Sequence, residues 1–155
     1  MDGEFEKVKT KLLNVIEVNI TSKNEHVPEI ERKIRHIKER TRSLKAELPY
    51  TVMPGQMIKR LVLHAVLFMN SYIDKQGISD EYSPREIILR WQLNWKRHCK
   101  YQFGAYGQAY DEPDSSETNT QQPRSRNVIC VGPTGNMQGS NFFLDLDTKA
   151  MIKRR

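Results

Sequence analysis

Cysteine is scarce: Cys99 and Cys130 are the only two in 155 residues. That count excludes a disulfide framework and a zinc site built from cysteine pairs. Long apolar runs are missing as well. No stretch reaches the roughly 18 apolar residues of a bilayer-spanning helix, and the opening MDGEFEKVKTKLL is too charged for a secretory leader. These absences favour a reduced, intracellular setting. Residues 111–127 (DEPDSSETNTQQPRSRN) contain no aliphatic or aromatic side chain, so they read as a flexible, solvated loop.

Positive charge is what the chain has in excess. Twenty-five Lys and Arg against nineteen Asp and Glu leave a net charge of +6, and a balance this basic favours an anionic partner. Hydrophobic residues make up 37%, enough for a modest core with part of the chain left solvated.

Val15 to Thr21 alternates, with Ile16, Val18 and Ile20 on one side, and is rich in β-branched residues; it is expected to be a strand. Pro28 suits a first helical position. From there Ile30, Ile34, Ile37, Thr41, Leu44 and Leu48 recur at helical spacing until Pro49. Pro54-Gly55 opens a second helix, apolar almost all round and expected to run to Lys75. Such a helix calls for burial from several sides. Ser83-Pro84 reads as an N-cap and first position of a short helix to Arg90. Beyond Trp91 the texture changes to short strands, expected at 103–111, 128–131, 141–146 and 151–153, separated by Gly, Pro and an Asp147-Thr148 turn. The chain thus divides into a helical portion, 1–100, and a small β portion, 101–155, with the loop 111–127 inside the latter.

The first helix carries the strongest charge pattern. Between Glu31 and Lys45 stand seven Lys or Arg and two Glu. With Ile30 at zero and about 100° per residue, Lys38 falls at about 80°, Glu31 at about 100°, Arg42 at about 120° and Arg35 at about 140°. One carboxylate therefore opens a flank whose next turns carry cations, and such a ridge could track a phosphate backbone. An ordinary solvated face with i,i+4 pairs such as Glu31 with Arg35 has the same pattern. Asp2, in Asp2-Gly3-Glu4-Phe5, lies 29 positions before Glu31 with the strand between. The two acids could converge on Mg²⁺, which takes a few carboxylates and leaves room for phosphate oxygens.

Asp2-Gly3-Glu4-Phe5, a strand, and then His26-Val27-Pro28-Glu29-Ile30-Glu31-Arg32-Lys33-Ile34-Arg35 resemble the second half of a copia-type retrotransposon integrase core. In that family an Asp-Gly-Gly-Glu-Phe type motif supplies the second catalytic aspartate, and a helix with Glu-Arg-x-x-Arg supplies the catalytic glutamate. The resemblance makes Asp2 that aspartate, Glu31 that glutamate and Arg32 the arginine beside it. Downstream, Ser83-Pro84, Phe103-Gly104, Val131-Gly132 and Phe142 to Asp147 are similar to the family's later landmarks, so the likeness covers nearly the whole chain.

From the resemblance follows an α+β fold. A partial ribonuclease H-like core, one strand plus helices, would be followed by a small SH3-like β module. The implied cofactor is Mg²⁺ or Mn²⁺, held by Asp2 and Glu31 for DNA strand transfer. The implied partner is DNA, both element ends and target, contacted by Arg32, Arg35, Lys38, Arg42 and Lys45 and by the basic end Lys153, Arg154 and Arg155. A second copy of the chain or the rest of a polyprotein is a further expected partner. The sequence also departs from the family. Gly132 to Gly139 replaces a Val-Gly-Tyr element, the Asp2–Glu31 separation is short, and the first catalytic aspartate and the His/Cys zinc module have no match. The chain alone is therefore expected to be inactive, and a non-catalytic basic module for nucleic acid or protein is the alternative.

Other residues carry less. His98-Cys99 is expected in a half-buried loop, Cys130 in the core, and His64 as a satisfied core histidine. His26 is expected to cap its loop. Trp91 and Trp95, four apart, are expected to pack between the helical and β portions, with base stacking as the alternative.

Overall fold

The computed structural model describes residues 28–75, 77–110 and 124–155. Asp2, the strand expected at 15–21, His26 and residues 111–123 of the expected loop lie outside the described residues. The chain falls into two compact units, 1–36 and 37–155. Of the first, residues 28–36 are described, and they begin the helix α1, Pro28–Ala46.

In the second unit α2, Gly55–Met69, and the short α3, Pro84–Leu89, and α4, Trp95–His98, precede four strands. These are β1 (Tyr106–Tyr110), β2 (Ser125–Pro133), β3 (Asn141–Asp145) and β4 (Met151–Arg154). They form one open antiparallel sheet in sequence order. The fold is thus mixed helix and strand.

Side-chain alternation divides the sheet. One face turns Leu144 and Val131 to Met53, just before α2, and to Met57 and Leu61 within it, with Phe103 completing the core and Leu44, Leu48 and Phe142 at its margin. The core therefore joins residues on both sides of position 100. On the opposite face Ala109, Val128, Cys130 and Phe143 make a smaller cluster. Cys130 is buried there, as expected of a core residue.

Several boundaries differ from the sequence reading. α2 stops at Met69, not Lys75. The Asn70 carbonyl instead accepts from the Arg85 N–H (2.9 Å), and the Ser71 hydroxyl donates back to the Leu67 carbonyl (2.7 Å), so polar groups divert the chain. Only Met57, Leu61 and Ala65 of α2 are buried. They form a single i, i+4, i+8 stripe, in place of burial on several sides, because the sheet offers the helix one face. β2 begins at Ser125, inside the segment expected as loop, because Ser125, Arg126 and Asn127 pair with Tyr110, Ala109 and Gln108. Backbone pairing does not require the apolar side chains that the segment lacks.

The β2–β3 register shifts between Cys130 and Pro133. Gly132 there adopts φ +98°, where a Cβ would stand 2.7 Å from His64 Nδ1. Only glycine fits that site without strain. Burial pushes the His64 imidazole down to about 4. Its Nδ1 has no hydrogen-bond partner among the described residues, so His64 is not the satisfied core histidine expected. It packs between the Phe68 and Phe103 rings, at 4.5 and 5.1 Å.

Candidate nucleic-acid interface

Helix α1 opens with Glu29 and Glu31 in its first turn, the positive end of its dipole, and closes with Lys45 in its last. Glu31, Arg32, Arg35, Lys38, Arg42 and Lys45 are all exposed. So are Ile30 (58%) and Ile34 (46%), although they belong to the apolar stripe. The stripe becomes partly buried from Ile37 onward. Glu31 presents the oxygen donor that Mg²⁺ takes. Its expected companion Asp2 lies outside the described residues. Among the described residues no group of three or more His, Cys, Asp or Glu gathers as a metal site. Nor is any helix among them long and apolar enough to cross a membrane.

The basic end divides between the two faces of the sheet. Lys153 pairs with Phe142 on the α2 side, while Arg154 pairs with Asn141 on the other. Arg154 Nε donates to the Tyr110 carbonyl (3.3 Å), so the edge strands β1 and β4 approach each other at this end. Between them, on the face away from α2, runs a groove of about 340 Å³. Ala109, Val128, Cys130 and Phe143 floor it, and Tyr101, Arg154 and Arg155 stand at its walls. Small side chains and Gly107, with nothing within 4 Å of where its Cβ would be, leave the floor open. The Tyr101 ring meets Phe143 edge-on at 5.7 Å, and Lys100 Nζ lies 5.2 Å from the Tyr101 centroid.

Arg155 also lines a second, smaller cleft of about 170 Å³, with Lys96, Arg97, Lys100, Gly139 and Asn141. The sequence reading missed this grouping. Its local signal is the run WKRHCK, but spacing alone does not bring 96–100 beside 139–155.

Three local interactions do so. The Asn94 side chain caps the α4 turn by accepting from the Arg97 N–H (3.1 Å). His98 is buried in that turn, not in a loop, with Nδ1 2.7 Å from the Asn94 carbonyl oxygen and Nε2 2.6 Å from that of Asn136. Gly139, at φ +73°, lets the Arg97 side chain come so close that an added Cβ would lie 2.9 Å from Arg97 Cβ. Asn141 forms the buried floor, 1% exposed, and its Oδ1 has no hydrogen-bond partner among the described residues.

Trp95 stacks on Tyr72 at 5.3 Å, and Trp91 lies under the Arg85 guanidinium at 4.7 Å. Neither ring belongs to the core between α2 and the sheet.

Compared with protein-family models, curated proteins and solved structures, the chain matches none.

Proposed function

We propose that this chain is a nucleic-acid-binding portion of a copia-type retroelement integrase. On this reading residues 1–100 are the second half of a ribonuclease H-like core, and 101–155 are an SH3-like module. The observation that carries the reading is the α1 helix. Its first turn holds Glu31 beside Arg32, in the order the family's motif requires, and the cations of its later turns are all exposed.

The roles follow from the side chains. Arg32, Arg35, Lys38, Arg42 and Lys45 neutralise phosphates along a DNA backbone and fix its register without reading bases. Asp2 and Glu31 are the residues that would hold Mg²⁺ or Mn²⁺, which when bound supplies positive charge to the oxygens of an in-line displacement. The first aspartate of the family's triad has no match in these 155 residues. On this reading that acid must be supplied by another segment, and the chain by itself carries out no strand transfer.

Two measurements on the same protein test the proposal. Duplex DNA binding is titrated over a salt series for the wild type and for a variant with Arg35→Glu, Lys38→Glu and Arg42→Glu. The expected result is a slope of log Kd against log salt flattened by about 2.7, or about 0.9 for each phosphate no longer neutralised. Mn²⁺ affinity is measured by calorimetry for the wild type, Asp2→Asn and Glu31→Gln, and both substitutions are expected to weaken it. An unchanged salt slope removes the ridge from the interface. DNA binding without any Mn²⁺ effect leaves the second reading, a non-catalytic basic module, which the exposure of the whole ridge also suits.

A further inference from the structure

From two clefts that share Arg155 in their linings, we infer a binding site for single-stranded nucleic acid, independent of the α1 ridge. The phosphate seat is the smaller cleft, where Lys96, Arg97, Lys100 and Arg155 converge. No acidic side chain lines it, and among the described residues none of these four cations is engaged in an ion pair. Four like charges held in one place repel one another, and an anion relieves that repulsion. The cleft is also built. The Asn94 cap, the buried His98 bridge and the close Gly139 approach fix the α4 turn against residues 136–141. Asn141 adds a buried polar floor whose Oδ1 has no hydrogen-bond partner among the described residues; it is an acceptor, so its partner in a bound strand would be a base N–H and not the phosphate, whose oxygens only accept.

Arg155 continues from this cleft into the larger groove. There the floor is apolar, Tyr101 stands at the wall, and Arg154 is held by the Tyr110 carbonyl. Cations along a track with an aromatic beside an open floor are what an unpaired base and its phosphate require. A duplex keeps its bases stacked inside and cannot lower one into the groove. The ligand class is therefore a strand with accessible bases, its phosphates over Lys96, Arg97, Lys100 and Arg155 and a base against Tyr101.

Fluorescence anisotropy of the full chain tests this with a labelled thymidine oligomer of about 12 nucleotides, within the span that one such surface covers. A Lys96→Gln, Arg97→Gln, Lys100→Gln variant should bind at least about tenfold more weakly, with the salt slope reduced by about 2, or about 0.7 for each phosphate no longer neutralised. Arg155→Gln, an exposed position beyond β4, should move both quantities in the same direction by the equivalent of about one phosphate, and it keeps the test valid if the triple variant fails to fold. An abasic oligomer of equal length should bind about fivefold or more weakly, the lower end of what one base–aromatic stack contributes. The Arg35, Lys38 and Arg42 variant should keep its affinity for the oligomer, which separates this site from the α1 reading. Equal affinity for duplex, equal affinity for the abasic strand, or displacement by thymidine monophosphate at the same phosphate concentration would each overturn the inference. So would unchanged binding by Arg155→Gln.

Discussion

Asp145 is a carboxyl whose surroundings make it markedly more acidic. Its carboxylate is fully buried at the end of β3. The Thr148 N–H (3.1 Å), the Asp147 N–H (2.8 Å) and Arg126 Nη1 (3.3 Å) all donate to it. The Thr148 N–H leads these interactions, which pull the carboxyl down to about 2 despite the opposing effect of burial. A carboxyl depressed in the folded state stabilises the fold above its unfolded pKa of about 3.9 and loses that contribution as pH falls toward the folded value. Urea unfolding between pH 5 and pH 2, compared with an Asp145→Asn variant, is expected to show a component of acid sensitivity that the variant lacks. The sequence reading recognised a turn at Asp147-Thr148, but it could not assign Asp145 as the residue organising it. The carboxylate is fixed by Arg126, 19 positions earlier on a neighbouring strand.

At the scale of elements, local chemistry was the most legible part. Ser83 accepts from the Glu86 N–H (3.3 Å) while Glu86 Oε2 accepts from the Ser83 N–H (2.8 Å), a complete capping box with Pro84 at the first position of α3. The Ser83 bonds also hold the Glu86 carboxyl below the usual carboxylate range. Ser83→Ala is expected to destabilise the protein by about 1 kcal/mol, measured as a lower urea midpoint at unchanged m value. Element ends were less legible. The expected length of α2 rested on apolar residues continuing to Ile73, but the helix ended where Asn70 and Ser71 found other polar partners. Of the candidate site, the exposure of the α1 cations followed from their helical spacing. The gathering of Lys96, Arg97 and Lys100 with Arg155 did not, because it depends on a pairing more than 50 positions long.

At the scale of the molecule, apolar surface remains uncovered. Ile58 (43%) and Leu63 (56%) on α2, and Tyr72 and Ile73 just beyond it, are exposed, because the sheet covers a single stripe of that helix. Ile30 and Ile34 add to the exposed total. Surface of this kind binds hydrophobic dyes and promotes association. The purified chain is therefore expected to enhance fluorescence of an anilinonaphthalene dye while still unfolding in a cooperative transition. Replacing Ile58 and Leu63 by Gln should reduce the dye signal without lowering the unfolding midpoint. Retention of the full signal would locate the dye site elsewhere.

The sequence by itself determined the helix of residues 28–46, the cap at Ser83, the basic balance and the alternation that makes four short strands, because each depends on neighbours within a few positions. Tertiary structure decided which apolar residues were buried, which face each terminal cation took, and how residues 96–100 met Asn141 and Arg155. Those outcomes depend on strand register, where a shift of one position exchanges the faces of the sheet, and on glycine conformations that permit close approach at Gly132 and Gly139. Neither is encoded in any short stretch of residue types.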